Sequence, residues 1–349
     1  MKDEFRLLPN KEYFLLIILA GILLLGFFLE ISSGDWKIGL DNLFKIIFTK
    51  LGLLSTDIDQ VEATIVWDGR MPRVLVAFLV GFSLGVAGTI TQGIFKNPMA
   101  SPGVIGIDSG AALGAVIAIY LGFSAISVLA LPLCAIVFSL ITLICVYLIA
   151  TSNGHTSVST LLLAGIALNL IFGALTSFVI SLSTREFDVG RVIITWLMGD
   201  LNNRSWEHVQ IVFPTTALAL LGTTFFIKDL NILMIDEETA ANLGVNTKLS
   251  RNALLLFSSI QTGGAIAVSG TIGFVGLIAP HIMRSIVGPD NKKLIFFAGL
   301  LGAVFIIYAD LFVRLIVKVD LKIGILTSLM GGPFFLYLLV KYRKRFEYM

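Results

Sequence analysis

The sequence predicts an all-α polytopic membrane protein with about ten transmembrane helices, of which several are short or broken. Hydrophobic residues fill 56% of the 349 positions and charged residues only 14%, whereas a soluble domain carries roughly 25% charged residues. The charges are also clustered, and the runs 74–95, 156–184 and 252–283 contain no Asp, Glu, Lys or Arg. Because about 20 apolar residues cross a bilayer as one helix, and a central charge opposes insertion, these runs predict membrane spans.

Ten spans result when the apolar runs are divided at their polar or Pro-containing breaks. The uncharged run 109–150 is long enough for two spans, and the segment 274–287 is too short to cross alone, which predicts a tilted or broken helix. No soluble domain fits between the spans, so we expect residues 1–349 to form a single transmembrane domain. The predicted spans are 12–31, 72–95, 105–121, 125–149, 157–182, 206–227, 251–269, 274–287, 292–313 and 323–341.

The charges that flank the spans predict the orientation of the chain. An even number of spans places both termini on one side, and the basic tail of Lys341, Arg343, Lys344 and Arg345 assigns that side to the cytoplasm. We interpret the first apolar run as an uncleaved span, because it is long and no signal-peptidase site follows it. The loops 31–69 and 183–205 are then outside, with short helices near 36–51 and 189–198, and the loop 228–250 is inside.

The inside loop contains the short polar stretch "MIDEETAANLGVN", residues 234–246. Asp and Glu at the start favour a helix N-terminus, and the glycine favours a left-handed end. A helix of about nine residues is marginal in water by itself, so it docks either on its own membrane domain or on a cytoplasmic partner. The residues expected to form this helix are Asp236, Glu237, Glu238, Ala240, Leu243 and Gly244.

Small residues and prolines mark close packing and broken helices. Gly81, Gly85 and Gly88 lie at helical spacings in the second span, which allows two helix backbones to approach closely. Prolines near membrane depth indicate interrupted helices, which are tolerated only where protein or a water-filled cavity covers the free backbone groups. We expect these segments to serve packing first and the wall of a conduit second.

Few charged residues lie near the ends of the spans. Asp108 is expected to be the N-terminal cap of the third span. Asp310 and Arg314 are four residues apart and can pair on one helix face. Arg70 and Arg73 precede and open the second span, and Arg314 ends the ninth. Either these arginines extend to the membrane interface, or they form a basic rim on the outer face that receives an acidic partner.

Several function classes lack their sequence signals. There is no G-x-x-x-x-G-K-[ST] motif, so the chain does not bind ATP through a P-loop. Spans without a central charge argue against an ion-coupled secondary carrier, although a site of backbone carbonyls remains an alternative. Glycine-rich and broken spans also argue against a purely structural membrane scaffold, which does not require a weakly packed central path. Cys134 and Cys145 are expected to be packed as small apolar residues, and we expect no catalytic residue, metal site, cofactor or nucleic-acid partner.

Four stretches resemble the signatures of the FecCD-type permeases. They are "RMPRVLVAFLVGFSLGVAGTITQGIFKNPMASPGVIGIDSGAALG" (70–114), "SGTIGFVGLIAPHIMR" (269–284), "ADLFVRL" (309–315) and "DEETAANLGV" (236–245). The resemblance covers essentially the whole chain. The signature and packing positions are Gly81, Gly85, Gly88, Asn97, Pro98, Pro102, Gly106, Gly110, Gly270, Gly276, Pro280, His281 and Arg284.

The resemblance implies the type II ABC importer architecture, with ten helices in each permease subunit. Two permease subunits, identical or paralogous, would surround a central path in the cell membrane. Two ATPase subunits would bind ATP and Mg on the cytoplasmic side, so the chain itself is not an enzyme. A substrate-binding protein or lipoprotein would dock outside.

The resemblance also implies roles for individual residues and a cargo. The stretch Asp236–Gly244 would be the coupling helix that fits a cleft of the ATPase. Arg70, Arg73 and Arg314 would pair with glutamates of the binding protein. The expected cargo is an iron chelate, a ferric siderophore, and the same machine carrying haem or cobalamin is the alternative.

Overall fold

The computed structural model describes residues 10–34, 36–152, 155–183, 187–317 and 321–346. Lys2 and Arg6 of the basic N-terminal flank lie outside these residues, as do the side chains of Arg343, Lys344 and Arg345 in the basic tail. The described chain is almost entirely helical. Its only extended segments are the antiparallel two-residue strands β1 (Thr151–Ser152) and β2 (His155–Thr156).

Fifteen α-helices lie in the described residues. They are α1 Asn10–Ser32, α2 Leu40–Lys50, α3 Gln60–Thr64, α4 Met71–Ile94, α5 Ile107–Tyr120, α6 Phe123–Ile126, α7 Ala130–Ala150, α8 Val158–Ser183, α9 Phe187–Leu197, α10 Trp206–Leu233, α11 Glu237–Asn242, α12 Thr247–Ser269, α13 Val275–Val287, α14 Asn291–Phe312 and α15 Ile323–Phe346. A π-helical segment, Ile65–Arg70, joins α3 to α4.

The predicted all-α membrane fold is confirmed. Eight helical segments of the described chain are long and apolar enough to cross a membrane, and the shorter apolar helices α5 and α13 complete the ten predicted spans. The two predicted loop helices are α2 and α9. The largest boundary differences are that α10 continues to Leu233 and that the fourth span begins at Ala130, after the separate helix α6.

The helix α4 is the centre of the bundle and packs against α10, α12, α13 and α14. In the most apolar 18-residue stretch of the helical segment that contains α4, 83% of the residues are buried. In the corresponding stretch of α8, only 17% are buried. The helices α12 and α14 are also mostly buried, at 72% each. The glycine-rich second span is therefore the interior helix of the subunit, and α8 presents most of its surface outward.

The glycines of α4 let neighbouring backbones touch it. A Cβ atom on Gly81 or Gly85 would overlap the backbone of α14, and one on Gly88 would overlap the carbonyl group of Gly276 in α13. Such close approach is available only to small residues. These positions therefore fix the distances between α4 and two neighbouring helices.

Two breaks divide the bundle helices, the first at the predicted Pro98 and Pro102 and the second at glycines. The expectation that Pro280 marks a broken helix is wrong, because Pro280 lies inside α13. After α4, the chain forms a 3-10 turn at Pro102–Ile105, and Gly106 (φ 88°) starts α5 in the left-handed conformation. After α12, Gly270 (φ 69°) and Phe274 (φ 68°) turn the chain into α13. Because only glycine adopts a positive φ without cost, Gly106 and Gly270 are suited to these turns.

Candidate functional site

The short helix α11 lies between α10 and α12 at one end of the bundle, here called the α11 face. Its N-cap is Asp236, whose carboxylate accepts a hydrogen bond from the Thr239 backbone N–H at 3.1 Å. This hydrogen bond lowers the pKa of the exposed Asp236 carboxyl below its usual value. Gly244 follows the helix at φ 82°, as its sequence position predicts. The regular helix has six residues, fewer than the nine predicted.

The apolar residues of α11 and of the positions that flank it divide between the bundle and the outside. Ala240 is completely buried against the membrane domain, whereas Leu243 is 65% exposed and Ile235 is 71% exposed. Both alternatives from the sequence are therefore compatible with its position. The helix rests on its own domain through Ala240 and still presents a capped, apolar outer surface.

Arg251 connects α11 to the rest of the bundle through polar contacts. Its side chain is almost fully buried, forms an ion pair with Glu237 and donates a hydrogen bond to the Thr156 carbonyl oxygen at 2.8 Å. The side chain of Ser250 donates to Asp229 at the end of α10. The start of α12 is therefore bonded to α10, α11 and β2, so a displacement of α11 acts on α12 directly and on the other two segments through α12.

The opposite end of the bundle, here called the arginine face, contains Arg73. This arginine binds both carboxylate oxygens of Asp310 at 2.7 Å and donates to the Asn202 side-chain oxygen at 2.8 Å. The predicted pairing of Asp310 with Arg314 is wrong. Asp310 lies in α14 and Arg314 in the π-helical segment Val313–Val317 that follows it, and the carboxylate of Asp310 is oriented toward Arg73 of α4.

Arg314 and Arg70 have internal partners as well. Arg314 pairs with Glu30 at 2.6 Å, and Arg70 donates to the carbonyl oxygens of Ile31, at 2.6 Å, and Trp36. The arginines are only 9% (Arg70, whole residue), 16% (Arg73, side chain) and 18% (Arg314, side chain) exposed. All three guanidinium groups therefore have internal acceptors, as buried charges require. Their docking role remains a prediction.

A second charged group extends the arginine face toward α15. Asp200 binds Lys322 at 2.8 Å, and its backbone carbonyl accepts a hydrogen bond from Arg204 at 3.0 Å. Burial opposes ionisation of Asp200, but the hydrogen bonds from Lys322 and the Asn202 backbone outweigh it and lower its pKa. Burial lowers the pKa of Arg204 to about 10, so it stays charged at neutral pH.

Sequence reasoning missed Glu30, Asp200, Asn202 and Lys322. Their partners lie far away along the chain, and no local spacing identifies them.

The remaining signature residues serve turns and helix contacts. The Asn97 side chain accepts a hydrogen bond from the Met99 backbone at 2.9 Å and shapes the turn that contains the half-buried Pro98. The His281 ring meets the Phe334 ring edge-on, with centroids 5.9 Å apart. Arg284 in α13 has two buried nitrogen atoms, Nε and Nη2, without a hydrogen-bond partner among the described residues. Pro280 is buried inside α13.

A cavity of about 450 Å³ opens between α5, α9, α15 and the turn that follows α12. Its single charged lining residue is Asp108. The prediction that Asp108 caps the third span is wrong, because Gly106 occupies the N-cap position and α5 has no side-chain cap. The lining residues are Asp108, Leu197, Met198, Thr271, Ile272, Gly273, Gly324, Ile325 and Ser328.

The described chain thus combines a bundle of ten apolar helices, two breaks between helices, a cavity and a capped helix at one end. The chain belongs to the FecCD transport family, which it matches over residues 22–341. It is thus a permease of the ABC transporter class. As such it is a transport component and not itself an enzyme.

Named relatives share most of its length. The cobalamin import system permease protein BtuC of Halobacterium salinarum is 40% identical over 286 residues, which cover 82% of this chain and 76% of the relative. The hemin transport system permease protein HmuU of Yersinia pestis is 39% identical over 288 residues, which cover 79% of this chain and 83% of the relative. A solved structure of a metal-chelate type ABC transporter, inward-facing, has a TM-score of 0.81 and 31% identity, covering 94% of this chain and 99% of that one.

Proposed function

We propose that this chain is the membrane permease of an ATP-driven importer that carries a metal chelate, with a ferric siderophore as its cargo, across the cytoplasmic membrane. The observation that carries the proposal is α11, a capped helix that is tied to the bundle through Arg251 and still exposes Leu243. A short rigid helix of this kind is suited to receive motion from a second protein.

In this proposal α11 is the coupling helix of two ATPase subunits, which bind ATP and Mg. Closure of the ATPases pushes α11, and the Glu237–Arg251 ion pair transfers the displacement to α12. The Arg251 contact with Thr156 transfers it to the segment between α7 and α8. The helices that border the cavity then move relative to one another. The α11 face is accordingly cytoplasmic, and both chain termini lie on that side.

The arginine face is the proposed docking surface for an external binding protein. Glutamates of the binding protein would approach Arg70, Arg73 and Arg314, which already hold internal acceptors. Docking then shares or exchanges these acceptors instead of neutralising free charges. Because partly buried charge pairs are screened less than exposed ones, we expect only a moderate salt dependence of docking.

Haem and cobalamin are the second candidate cargoes, and the names of the relatives favour them. The relatives cited above are permeases for cobalamin and for hemin. Cargo selection in such a machine also depends on the binding protein. A second permease subunit, identical or paralogous, completes the path in either case.

Uptake by cells with and without the gene tests the proposal. Radiolabelled ferric siderophores, haem and cobalamin are supplied separately, before and after ATP depletion, and the deletion strain is complemented with the wild-type chain. ATP-dependent uptake of a ferric siderophore that requires the gene supports the proposed cargo. Gene-dependent uptake of haem or cobalamin instead replaces the cargo, and gene-dependent uptake that survives ATP depletion supports an ion-coupled carrier and overturns the proposal.

A further inference from the structure

The carboxylate of Asp108 borders the cavity between α5, α9 and α15 without a partner of its own. Its Oδ1 atom is buried and accepts no hydrogen bond among the described residues. An unpaired buried carboxylate is costly, and the role expected from the sequence, a helix cap, does not account for it. Because Asp108 lines the cavity, a ligand bound there would lie beside this carboxylate and supply the partner that the described residues do not.

Polar groups next to Asp108 form hydrogen bonds with one another and not with its carboxylate. Ser109 donates to the Asn169 side-chain oxygen at 2.6 Å, and Asn169 donates to the Gly103 carbonyl oxygen at 2.8 Å. A Cβ atom on Gly103 would lie 2.6 Å from the Asp108 Oδ2 atom. The absence of a side chain at residue 103 thus leaves the space that the carboxylate occupies.

The other lining groups favour a cation with an apolar body. None of the nine lining residues carries a positive charge, and Leu197, Ile272 and Ile325 supply apolar surface. The Thr271 hydroxyl already donates to the Leu197 carbonyl oxygen. One carboxylate without a second charged ligand is a poor site for a bare metal ion, since these ions take several oxygen, nitrogen or sulfur ligands. An organic cation, which needs a single charged acceptor, fits better.

We propose that Asp108 is a cargo-binding residue that forms a charge-assisted hydrogen bond with an ammonium group carried by the organic part of a metal chelate. This inference rests on the proposed transport function and names the chemical class of cargo that the cavity selects. The ammonium group would lie beside the Asp108 carboxylate, and the apolar lining would contact the chelate's hydrocarbon chains.

Equilibrium binding to the purified permease–ATPase complex in lipid nanodiscs tests the proposal without turnover. The two probes are a ferric trihydroxamate with one free ammonium group and the same chelate after N-acetylation, which replaces the charged ammonium with a neutral, slightly larger amide. We expect the wild-type complex to bind the ammonium form about tenfold more tightly, as one charge-assisted hydrogen bond gives. The variant Asp108→Asn should bind both forms equally. The control Asp188→Asn, an exposed acid on α9 outside the cavity lining, should keep the difference.

Three results overturn the proposal: equal binding of the two probes by wild type, no binding of the ammonium form, or retained discrimination in Asp108→Asn. If Asp108→Asn does not assemble, Gly103→Ala keeps the charge but displaces the carboxylate, and unchanged discrimination in that variant also overturns the proposal. ATP-dependent uptake is measured separately with the same complexes. Its absence in wild type counts against the importer, whereas a failed binding difference counts against Asp108 alone.

Discussion

Arg73 and Asp310 are 237 residues apart in the sequence and form a two-pronged ion pair in which each guanidinium–carboxylate distance is 2.7 Å. Asp310 is fully buried and Arg73 is 16% exposed. The planar guanidinium matches a carboxylate in this geometry, which makes such pairs strong and directional. The pair joins α4 to α14 at the arginine face, and Asn202 attaches the loop before α10 to the same guanidinium.

Removal of the Asp310 charge should destabilise the subunit. In Asp310→Asn the buried Arg73 loses the carboxylate that binds two of its nitrogen atoms, and breaking a buried pair costs on the order of 3–5 kcal/mol. We expect a clear decrease in the thermal unfolding temperature of the purified chain in detergent. The matched control is Asp41→Asn, which breaks the exposed Asp41–Lys45 pair of 2.6 Å on α2 and should cost less than about 0.5 kcal/mol. Equal effects of the two variants would contradict this role of the Arg73–Asp310 pair.

Helix contact through glycine can be tested by adding one methyl group. Gly88→Ala places a Cβ atom into the Gly276 backbone, and overpacking of this kind costs about 1–3 kcal/mol. Gly21→Ala on α1 has no heavy atom within 4 Å of the new Cβ, so it should be neutral or stabilising by up to about 1 kcal/mol, given the helix propensity of alanine. Thermal unfolding in detergent measures both, and a stable Gly88→Ala would show that α4 and α13 can separate at little cost.

The exposed apolar surface of α11 should be required for coupling to the ATPases. Leu243→Asp places a charge on a side chain that is 65% exposed, so we expect the fold to remain intact and ATP-driven uptake to fall by tenfold or more, about the loss of one buried apolar contact. The measurement is cargo transported per ATP hydrolysed in reconstituted vesicles. Leu53→Asp, at a leucine that is 68% exposed outside the spans, is the control and should transport normally. Normal coupling in Leu243→Asp would remove α11 from the proposed mechanism.

The link between α11 and α12 should affect both coupling and stability. Glu237 is 52% exposed in its side chain but Arg251 is only 6% exposed. Because Glu237→Gln keeps an acceptor oxygen for the buried guanidinium, we expect the free energy of unfolding to fall by about 1–3 kcal/mol, less than for loss of a fully buried pair. Loss of the ion pair between residue 237 and Arg251 should nevertheless lower the amount of cargo transported per ATP hydrolysed. Glu238→Gln changes the neighbouring exposed acid, which has no ion pair among the described residues, and serves as the control. If both variants couple equally well, displacement of α11 does not pass through Arg251.

The sequence by itself determined the membrane fold and most helix positions. Long uncharged runs can lower their free energy only by leaving water as helices, so composition alone located the ten spans to within a few residues. Local chemistry also determined the α11 ends, since Asp236 and Gly244 act on backbone groups no more than a few residues away. The glycine positions in α4 predicted close packing, although not which helices approach.

Only the tertiary structure decided the partners of the charged residues. Asp310 has Arg314 four residues away but pairs with Arg73 on another helix, and Arg314 pairs with Glu30 instead. Asp108 has the sequence context of a helix cap but borders a cavity built from segments up to 220 residues distant. A buried charge selects the acceptor that the packed helices bring within hydrogen-bonding distance, and that selection depends on helix rotation and depth, which spacing along one chain segment does not specify.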